Sequence, residues 1–264
     1  MPRPRKKDTE NNALLQEPFV VPDRILAGID DSQPRAQQMY SLIRSLIIEM
    51  ELSPGSPISE KAIGEAMSVS RTPLREALLK LADEGFVTIV PNMGTFVSKI
   101  DLATVFEGQF VRRALELETT RVAALKMDAE FLRELDVNMY QQKRCASDMD
   151  EAAFYQADEE FHRIISSIAA SKRVWKTIHV AKGQLDRVRR LAFPLPDHMK
   201  VVLDEHTAIY EGLKNNDPAA AVAAMEIHLA RIFITLQTLC ESRPELFSED
   251  AADMIAEHAK LLSP

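Results

Sequence analysis

The sequence predicts a mainly α-helical protein with a small N-terminal domain that ends in a β-hairpin and a larger bundle of six or seven helices. Apolar residues recur at helical spacing from residue 37 onward. β-Branched and aromatic runs occur at 86–90 and 95–98, and no strand pattern returns after Lys99. The length of 264 residues suits two domains, which we place at 36–100 and 101–264.

Residues 1–35 predict a flexible lead, because Pro, Asp, Asn and Gln follow no period there. A short ordered piece at Phe19–Ile29 is compatible with this pattern. The lead begins with four basic residues, which either contact DNA phosphates or stay solvated. They are Arg3, Arg5, Lys6 and Lys7.

The N-terminal domain contains three predicted helices and a hairpin. The helices are Gln37–Glu51, Ser59–Met67 and Ser70–Glu84, and the strands are 86–90 and 95–98. Gly85 suits the end of the third helix, where a residue free to take positive φ is favoured. Two helices joined by a tight turn and followed by a hairpin are the order of a winged helix-turn-helix.

The third helix has the side chains of a DNA-recognition helix. Arg71 and Arg75 are four residues apart, so they share a face, opposite the one that carries Leu74. Thr72 lies beside them, and Ser70 opens the helix, where backbone amides attract phosphate. Guanidinium groups contact phosphates and read guanine in the major groove. The alternative is an ordinary amphipathic helix with a solvated basic face.

Net charge does not decide whether the protein binds DNA. The chain has a net charge of −8, but residues 1–100 hold 12 Lys and Arg against 13 Asp and Glu. Such a nearly neutral domain binds DNA if its cations converge on one surface. Two cysteines without metal-ligand spacing suit a reducing cytoplasm. No secretory signal or apolar run of about 18 residues appears, so we expect no membrane segment.

The C-terminal domain reads as helices throughout. Asp101 is a predicted N-cap, and Pro218 suits the first turn of a helix. The predicted helices cover 101–127, 129–146, 150–169, 172–191, 197–214, 218–241 and 249–262.

Four residues of this domain form a candidate metal site. Asp158 and His162 lie one helical turn apart and therefore point the same way. His206 and His228 lie on the two helices that follow 172–191. Three imidazoles and a carboxylate that converge would suit Zn²⁺, Ni²⁺, Mn²⁺ or Fe²⁺ with open positions. The alternative is that each histidine is satisfied separately by an ordinary hydrogen bond.

The N-terminal domain resembles the DNA-binding domain of the GntR family of regulators. The resemblance rests on Pro54-Gly55, the run V-S-R-T-P-L-R-E-A-L at 69–78, L-x-x-E-G-F-V at 81–87 and G-T-F-V at 94–97. It implies that Lys61, Arg71, Thr72 and Arg75 contact DNA, and that Asn92–Gly94 form the wing tip. Many members have Arg or Lys in the wing, where this chain has Met93.

The C-terminal domain is similar to the FCD effector domain of the FadR-type branch of that family. The matching runs are R-R-A-L-E at 112–116, D-E-E-F-H at 158–162 and E-H-T-A-I at 205–209, with His228 in a fourth. The resemblance implies that Asp158, His162, His206 and His228 hold a metal. It also implies that Arg112 helps to bind a small organic or sugar acid. Arg187, Arg189 and Arg190 crowd one turn, where the alternatives are that they meet an anion or form an exposed basic face. We expect the exposed basic face.

The function predicted from these features is a ligand-responsive DNA-binding homodimer, usually a repressor, and not an enzyme. Two copies would read a pseudo-palindromic operator in double-stranded DNA. Two alternatives stay open. One is a metalloenzyme fused to a DNA-binding module, since a metal with open positions activates water. The other is a metal sensor, in which the ion itself is the effector.

Overall fold

The computed structural model describes residues 30, 32–170 and 172–262. The predicted flexible lead, including the ordered piece at Phe19–Ile29 and the four basic residues near the N-terminus, lies almost entirely outside them. The chain divides into two compact units. One contains the segment up to Ser45 and Ser56–Val97, and the other contains Leu46–Gly55 and everything from Ser98 onward.

The first unit holds the predicted helices and hairpin. Its elements in chain order are α1 (Arg35–Ile48, whose last turn belongs to the second unit), β1 (Pro57–Ile58), α2 (Glu60–Ala66), α3 (Arg71–Asp83), β2 (Val87–Val90) and β3 (Gly94–Val97). The strands form an antiparallel sheet in the order β1-β3-β2. Strand β1 was not predicted, because two residues that begin with proline show no alternation.

Local signals set the limits of these helices. Ser59 caps α2, and its hydroxyl accepts a hydrogen bond from the Ala62 amide at 3.2 Å. Gly85 follows α3 with a φ of +74°, as expected for a helix end. The inner face of α3 is fully buried and consists of Leu74, Ala77, Leu78 and Leu81. The opposite face of α3 is therefore left to solvent.

The second unit is a helical bundle. Its elements are α4 (Leu102–Lys126), α5 (Ala129–Asp148), α6 (Glu151–Ala169), α7 (Lys172–Ala181), α8 (Gly183–Ala192), α9 (His198–Lys214), α10 (Pro218–Ser242), a short 3₁₀ turn (Pro244–Leu246) and α11 (Ala251–Leu262). The Asp101 carboxylate caps α4 through the amides of Ala103 and Thr104. Pro218 stands in the first turn of α10. The bundle therefore has eight α-helices among the residues described, one more than predicted.

The additional helix arises at Lys182. The sequence predicted one helix over 172–191, and this prediction was wrong, because Lys182 (ψ 4°) separates α7 from α8. The Lys182 side chain is buried, and its ammonium lies 2.6 Å from both Asp186 and Glu159. Two carboxylates, one on α6, thus fix the chain at the break, and Gly183 follows it.

The bundle has three apolar cores, of which one surrounds Phe154 and Phe193. A polar layer lies between the two cores that α4 and α10 share. One core contains Val105 of α4 and Leu236 of α10. The other contains Ala123 of α4 and Ala221 of α10. Polar residues of both helices are buried between these levels, and α6, α8 and α9 pack around the same layer.

Helix α10 is long and apolar enough to cross a membrane by length and composition, with a mean hydropathy of 1.6, the one such case among the described residues. It packs against α4, α9 and α8. Its inner residues include the buried His228. Within that apolar stretch, 39% of the helix is buried in the bundle, and the rest includes exposed apolar residues.

Candidate functional site

The outer face of α3 presents the side chains that were predicted to contact DNA. Arg71, Thr72 and Arg75 are exposed, on the side opposite the buried leucines. Neither guanidinium forms an ion pair with any residue that the structure describes. Both are therefore available to a phosphate or a base edge.

Two further predicted contact residues lie near this face. The side chain of Lys61 on α2 is 85% exposed, with a loose ion pair to Glu65 at 3.9 Å. Ser70 precedes α3 and is exposed, and its side chain makes no capping hydrogen bond. The amides of the first turn of α3 thus stay open to an anion.

The turn between β2 and β3 forms the wing tip. Asn92 and Gly94 are exposed and take φ values of +61° and +125°. Between them, Met93 is 74% exposed. A thioether supplies no charge to a phosphate, so the tip offers backbone groups, the Asn92 amide and an apolar side chain.

Inside the bundle, three predicted metal ligands lie together. His162 of α6, His206 of α9 and His228 of α10 are buried, and one ligand nitrogen from each lies within 4.8 Å of the others. Their ring centroids are separated by 5.2 Å, 5.1 Å and 4.6 Å. The structure therefore brings together side chains that are up to 66 positions apart in the sequence.

Each imidazole is oriented by an oxygen on its outer side. His206 Nδ1 lies 2.7 Å from Gln142 Oε1, and His228 Nδ1 lies 3.0 Å from Glu205 Oε2. His162 Nδ1 lies 2.7 Å from Glu116 Oε2, although that pair is not aligned as a regular hydrogen bond. These oxygens favour a hydrogen on Nδ1, which leaves the Nε2 lone pairs for the cluster.

Burial keeps His206 and His228 neutral. It lowers the pKa of His206 and of His228 well below the ordinary value, and the neighbouring imidazoles lower both further. Burial raises the pKa of Glu116, but Arg112 and His162 together outweigh it through charge and hydrogen bonds, so that the pKa of Glu116 falls below its usual range. Two neutral imidazoles thus lie beside an ionised carboxylate, which suits metal binding.

Asp158 completes the predicted set from α6. Its Oδ1 lies 3.7 Å from His206 Nε2, and its Oδ2 accepts from Arg189. His206 Nε2 is buried without a hydrogen-bond partner. A buried nitrogen with a free lone pair is costly unless something binds it.

Next to the cluster lies a cavity of about 40 Å³, which is room for roughly three water molecules. Its charged and polar lining includes Arg112, Asp158, Arg189, His198, Glu205, His228, Arg231 and Thr235. The predicted effector residue Arg112 is buried there, with Nη2 3.0 Å from His162 Nε2 and Nε 2.6 Å from Glu116.

The prediction of an exposed basic face on α8 was wrong. Arg187 is completely buried, Arg189 is 7% exposed, and Arg190 is half-buried over the ring of Tyr155 at 3.7 Å. Arg189 turns inward because carboxylates of α6 meet it, Glu159 at 2.6 Å among them. The carboxylates lie 30 residues earlier, so no local pattern indicated this contact.

The residues present fit a divalent transition metal. The donors are three imidazoles and one carboxylate, and one imidazole nitrogen points into the cluster without a partner. Three histidines and a carboxylate leave open positions on such an ion. The sequence missed Glu116, Gln142 and Glu205, which orient the rings. Only Glu116 carried a signal, because it lies one turn from Arg112.

Comparisons with known proteins address the family. Residues 35–97 match the gntR family of bacterial regulatory proteins, and residues 109–231 match the FCD domain. An HTH-type transcriptional regulator in an unstable DNA locus of Streptomyces ambofaciens is 36% identical over 216 residues, which cover 82% of this chain and 91% of that protein. The chain belongs to the GntR family of transcriptional regulators. The predicted family resemblance is thereby confirmed.

Other relatives agree with this assignment. The HTH-type transcriptional repressor RspR of Escherichia coli (strain K12) is 33% identical over 222 residues, which are 84% of this chain and 97% of that protein. The solved structure of E. coli McbR/YncC has a TM-score of 0.67 and 18% identity, and the match covers 78% of this chain and 99% of that one. This GntR regulator therefore shares the fold of McbR/YncC, and its own fold is mainly helical, as the sequence predicted.

Proposed function

We propose that this GntR regulator is a repressor whose hold on DNA is controlled by a small acid bound at a metal site in its FCD domain. The observation that supports the proposal most strongly is the arrangement of the three histidines. Each Nδ1 lies within 3.0 Å of an oxygen from outside the cluster, so the Nε2 atoms converge beside the Arg112 guanidinium.

DNA recognition is assigned to α3 and the wing. Arg71 and Arg75 supply guanidinium groups on one exposed face, and Thr72 and Ser70 add hydroxyls. Lys61 and the turn Asn92–Gly94 add contacts to the backbone of double-stranded DNA. The repressor RspR among the relatives supports repression.

The metal is assigned to Asp158, His162, His206 and His228. Zn²⁺, Ni²⁺, Mn²⁺ and Fe²⁺ all suit this donor set. When bound, the ion supplies a Lewis acid with open positions for a carboxylate oxygen. In this structure Arg112 Nη2 lies 3.0 Å from His162 Nε2. The guanidinium therefore has to turn toward the cavity when that nitrogen binds a metal.

The charges around the cavity favour an anion. Arg112, Arg189 and Arg231 line it against the carboxylates of Asp158 and Glu205, and its histidines are neutral. Guanidinium groups pair with carboxylates through two parallel hydrogen bonds. The effector is therefore a small carboxylic or sugar acid.

Homodimerisation is assigned to the outer face of α4 and α10. The exposed apolar residues on that face are Phe110 and Ala114 of α4 and Ala223, Ile227, Ala230 and Ile234 of α10. The two helices run side by side in opposite directions, since Gln109 bonds the Leu229 carbonyl and Arg113 pairs with Glu226. An exposed apolar face with one internally paired arginine and glutamate suits a second copy related by a two-fold axis.

A combined metal and ligand experiment tests the proposal. Purified protein is analysed for bound metal, and its melting temperature is measured with carboxylic and sugar acids before and after chelation. We expect about one equivalent of metal per chain and a stabilising acid whose effect disappears on chelation. His206→Gln, which removes the unpartnered nitrogen, should abolish both results. A metal content that is unchanged in His206→Gln would contradict the assignment.

The same protein distinguishes the two alternatives. A metal sensor would change its DNA affinity with the ion alone, without any acid. A metalloenzyme would convert the stabilising acid to product, which chromatography of the acid after incubation detects. We expect neither behaviour.

A further inference from the structure

Arg187 of α8 is buried in a way that the proposed function does not explain. Its side chain is completely inaccessible to solvent. Nη1 donates to Gln184 Oε1 and Nη2 donates to the carbonyl of Ser98, both at 2.8 Å, while Nε has no partner. No carboxylate pairs with it among the residues that the structure describes.

Fold stability does not require a charge at this position. Burial lowers the pKa of Arg187 to about 9, so the guanidinium remains protonated at neutral pH in a place that disfavours its charge. Burying a charge that is not paired with an opposite charge costs free energy. The contact with Ser98 is thus the feature that calls for an explanation.

Ser98 lies at the start of the connection between the two units. It follows Val97, the last residue of β3, and it is the first residue of the second unit after the hairpin. The Ile100 amide donates to Leu246 at 2.9 Å, and the Ser248 amide donates to Ile100 at 3.0 Å. The connection 98–100 is therefore fixed twice, by Arg187 of α8 and by the segment that follows α10.

The same short helix takes part in the candidate metal site. Arg189 lies two residues after Arg187, which places the two side chains about 200° apart around α8. Arg189 pairs with Asp158, whose other oxygen lies 3.7 Å from His206 Nε2. A divalent cation among the histidines would share Asp158 with Arg189 and repel its guanidinium. Occupancy of the site thus acts directly on α8.

We propose that Arg187 is a positioning residue that transmits occupancy of the metal site, through α8, to the connection 98–100. This inference rests on the proposed metal site. Release of Arg189 from Asp158 shifts α8, and the Arg187–Ser98 hydrogen bond carries the shift to the residues that lead out of β3. The ion affects the connection only by favouring one arrangement of α8 over the other.

Hydrogen exchange of backbone amides, measured with and without Zn²⁺, tests the inference. The reporter is the peptide that contains the Ile100 amide, and the variant is Arg187→Met, which keeps an unbranched side chain but loses both donors. In the wild type we expect Zn²⁺ to change exchange of this peptide by about tenfold. In Arg187→Met the affinity for Zn²⁺ should stay within about threefold of the wild type, while the change in exchange disappears. Arg190→Met, on the same helix, is the matched control and should respond as the wild type does.

The outcomes separate this inference from the function on which it rests. An equal Zn²⁺ response in Arg187→Met and the wild type would overturn the role of Arg187, and so would a wild type that binds Zn²⁺ without any change at Ile100. A wild type that does not bind Zn²⁺ would overturn the proposed metal site itself. If Arg187→Met does not fold, Arg187→Gln, which is two atoms shorter than arginine, is judged by the same two results.

Discussion

Among single residues, those whose oxygens orient the imidazole rings are as important to the candidate metal site as the histidines themselves. Gln142 is completely buried, and its amide oxygen holds His206 Nδ1 while its nitrogen donates to Asn138 at 2.7 Å. This chain of hydrogen bonds fixes which way the amide points, and therefore which imidazole nitrogen faces the cluster. A change at Gln142 leaves all four proposed ligands in place.

Gln142→Leu should lower metal affinity by about 10-fold to 100-fold, because His206 loses the acceptor that orients it. Titration calorimetry with Zn²⁺ measures the change. Gln141→Leu is the matched control, since Gln141 is exposed on the same helix. Equal affinities in the two variants would show that Gln142 does not orient a ligand.

Arg75→Ala should weaken DNA binding by about 1 to 3 kcal/mol if the guanidinium reads a base. Arg71→Ala should do the same. Fluorescence anisotropy with an operator selected from random DNA measures both. Arg144→Ala removes an equally exposed arginine of the bundle and should leave the affinity unchanged. DNA affinity equal to that of the wild type in both α3 variants would show that α3 does not contact DNA.

Acid should destabilise the metal-free protein through buried histidines. Burial, with Arg189 and Arg231, lowers the pKa of His198 from 6.5 to about 4. Below about pH 6.5 the His198 imidazole binds a proton in the unfolded chain, but in the folded protein it does so only below about pH 4. The free energy of unfolding therefore falls as the pH is lowered through that window. Melting temperatures from neutral to acidic pH should fall less steeply in His198→Gln. If the melting temperature depends on pH equally steeply in His198→Gln and in the wild type, His198 is not a source of the acid sensitivity. His179→Gln, at a half-exposed position, is the control and should keep the slope.

Among the elements, the helices whose limits depend on local chemistry were predictable and those fixed by distant contacts were not. Asp101, Gly85 and Pro218 mark helix ends through their own backbone or capping preferences, and the structure has these ends. The break at Lys182 depends on Glu159, which lies on a different helix. The pattern of apolar residues within 172–191 does not indicate a contact with that carboxylate.

The same distinction applies to the site. Asp158 and His162 could be paired from their spacing of one turn, whereas His206 and His228 were joined to them through the family resemblance. The inward turn of Arg189 and the acceptors Gln142 and Glu205 depend on how the helices pack. A single sequence does not encode these contacts in any short pattern.

The outer face of α4 and α10 leads to a prediction about assembly. Ile227→Glu places a charge in the centre of this face, where Ile227 is 62% exposed. Burying that charge between two copies is unfavourable, so the variant should be a monomer by light scattering. Val137→Glu, at an exposed position of α5, should leave the oligomeric state unchanged. A dimeric Ile227→Glu protein would place the interface elsewhere.

For the whole molecule, the surface proposed to bind DNA and the proposed ligand site lie in different units. The first unit presents free guanidinium groups on α3, and the second buries its cations around a cavity beside the histidine cluster. The cavity of about 40 Å³ is too small for an organic acid as it stands. Arg112 and Arg189 line that space and are held by their bonds to His162 and Asp158. The proposed binding of a metal and an acid would therefore require both guanidinium groups to move.

The measurement that tests this account most directly is the DNA affinity of the metal-loaded protein as a function of added acid, repeated after chelation. We predict that at least one small carboxylic or sugar acid changes the dissociation constant for the selected operator by about 5-fold to 150-fold. We also predict that chelation removes this response. An acid response that survives chelation, or metal-loaded protein whose DNA affinity no acid changes, would contradict the account.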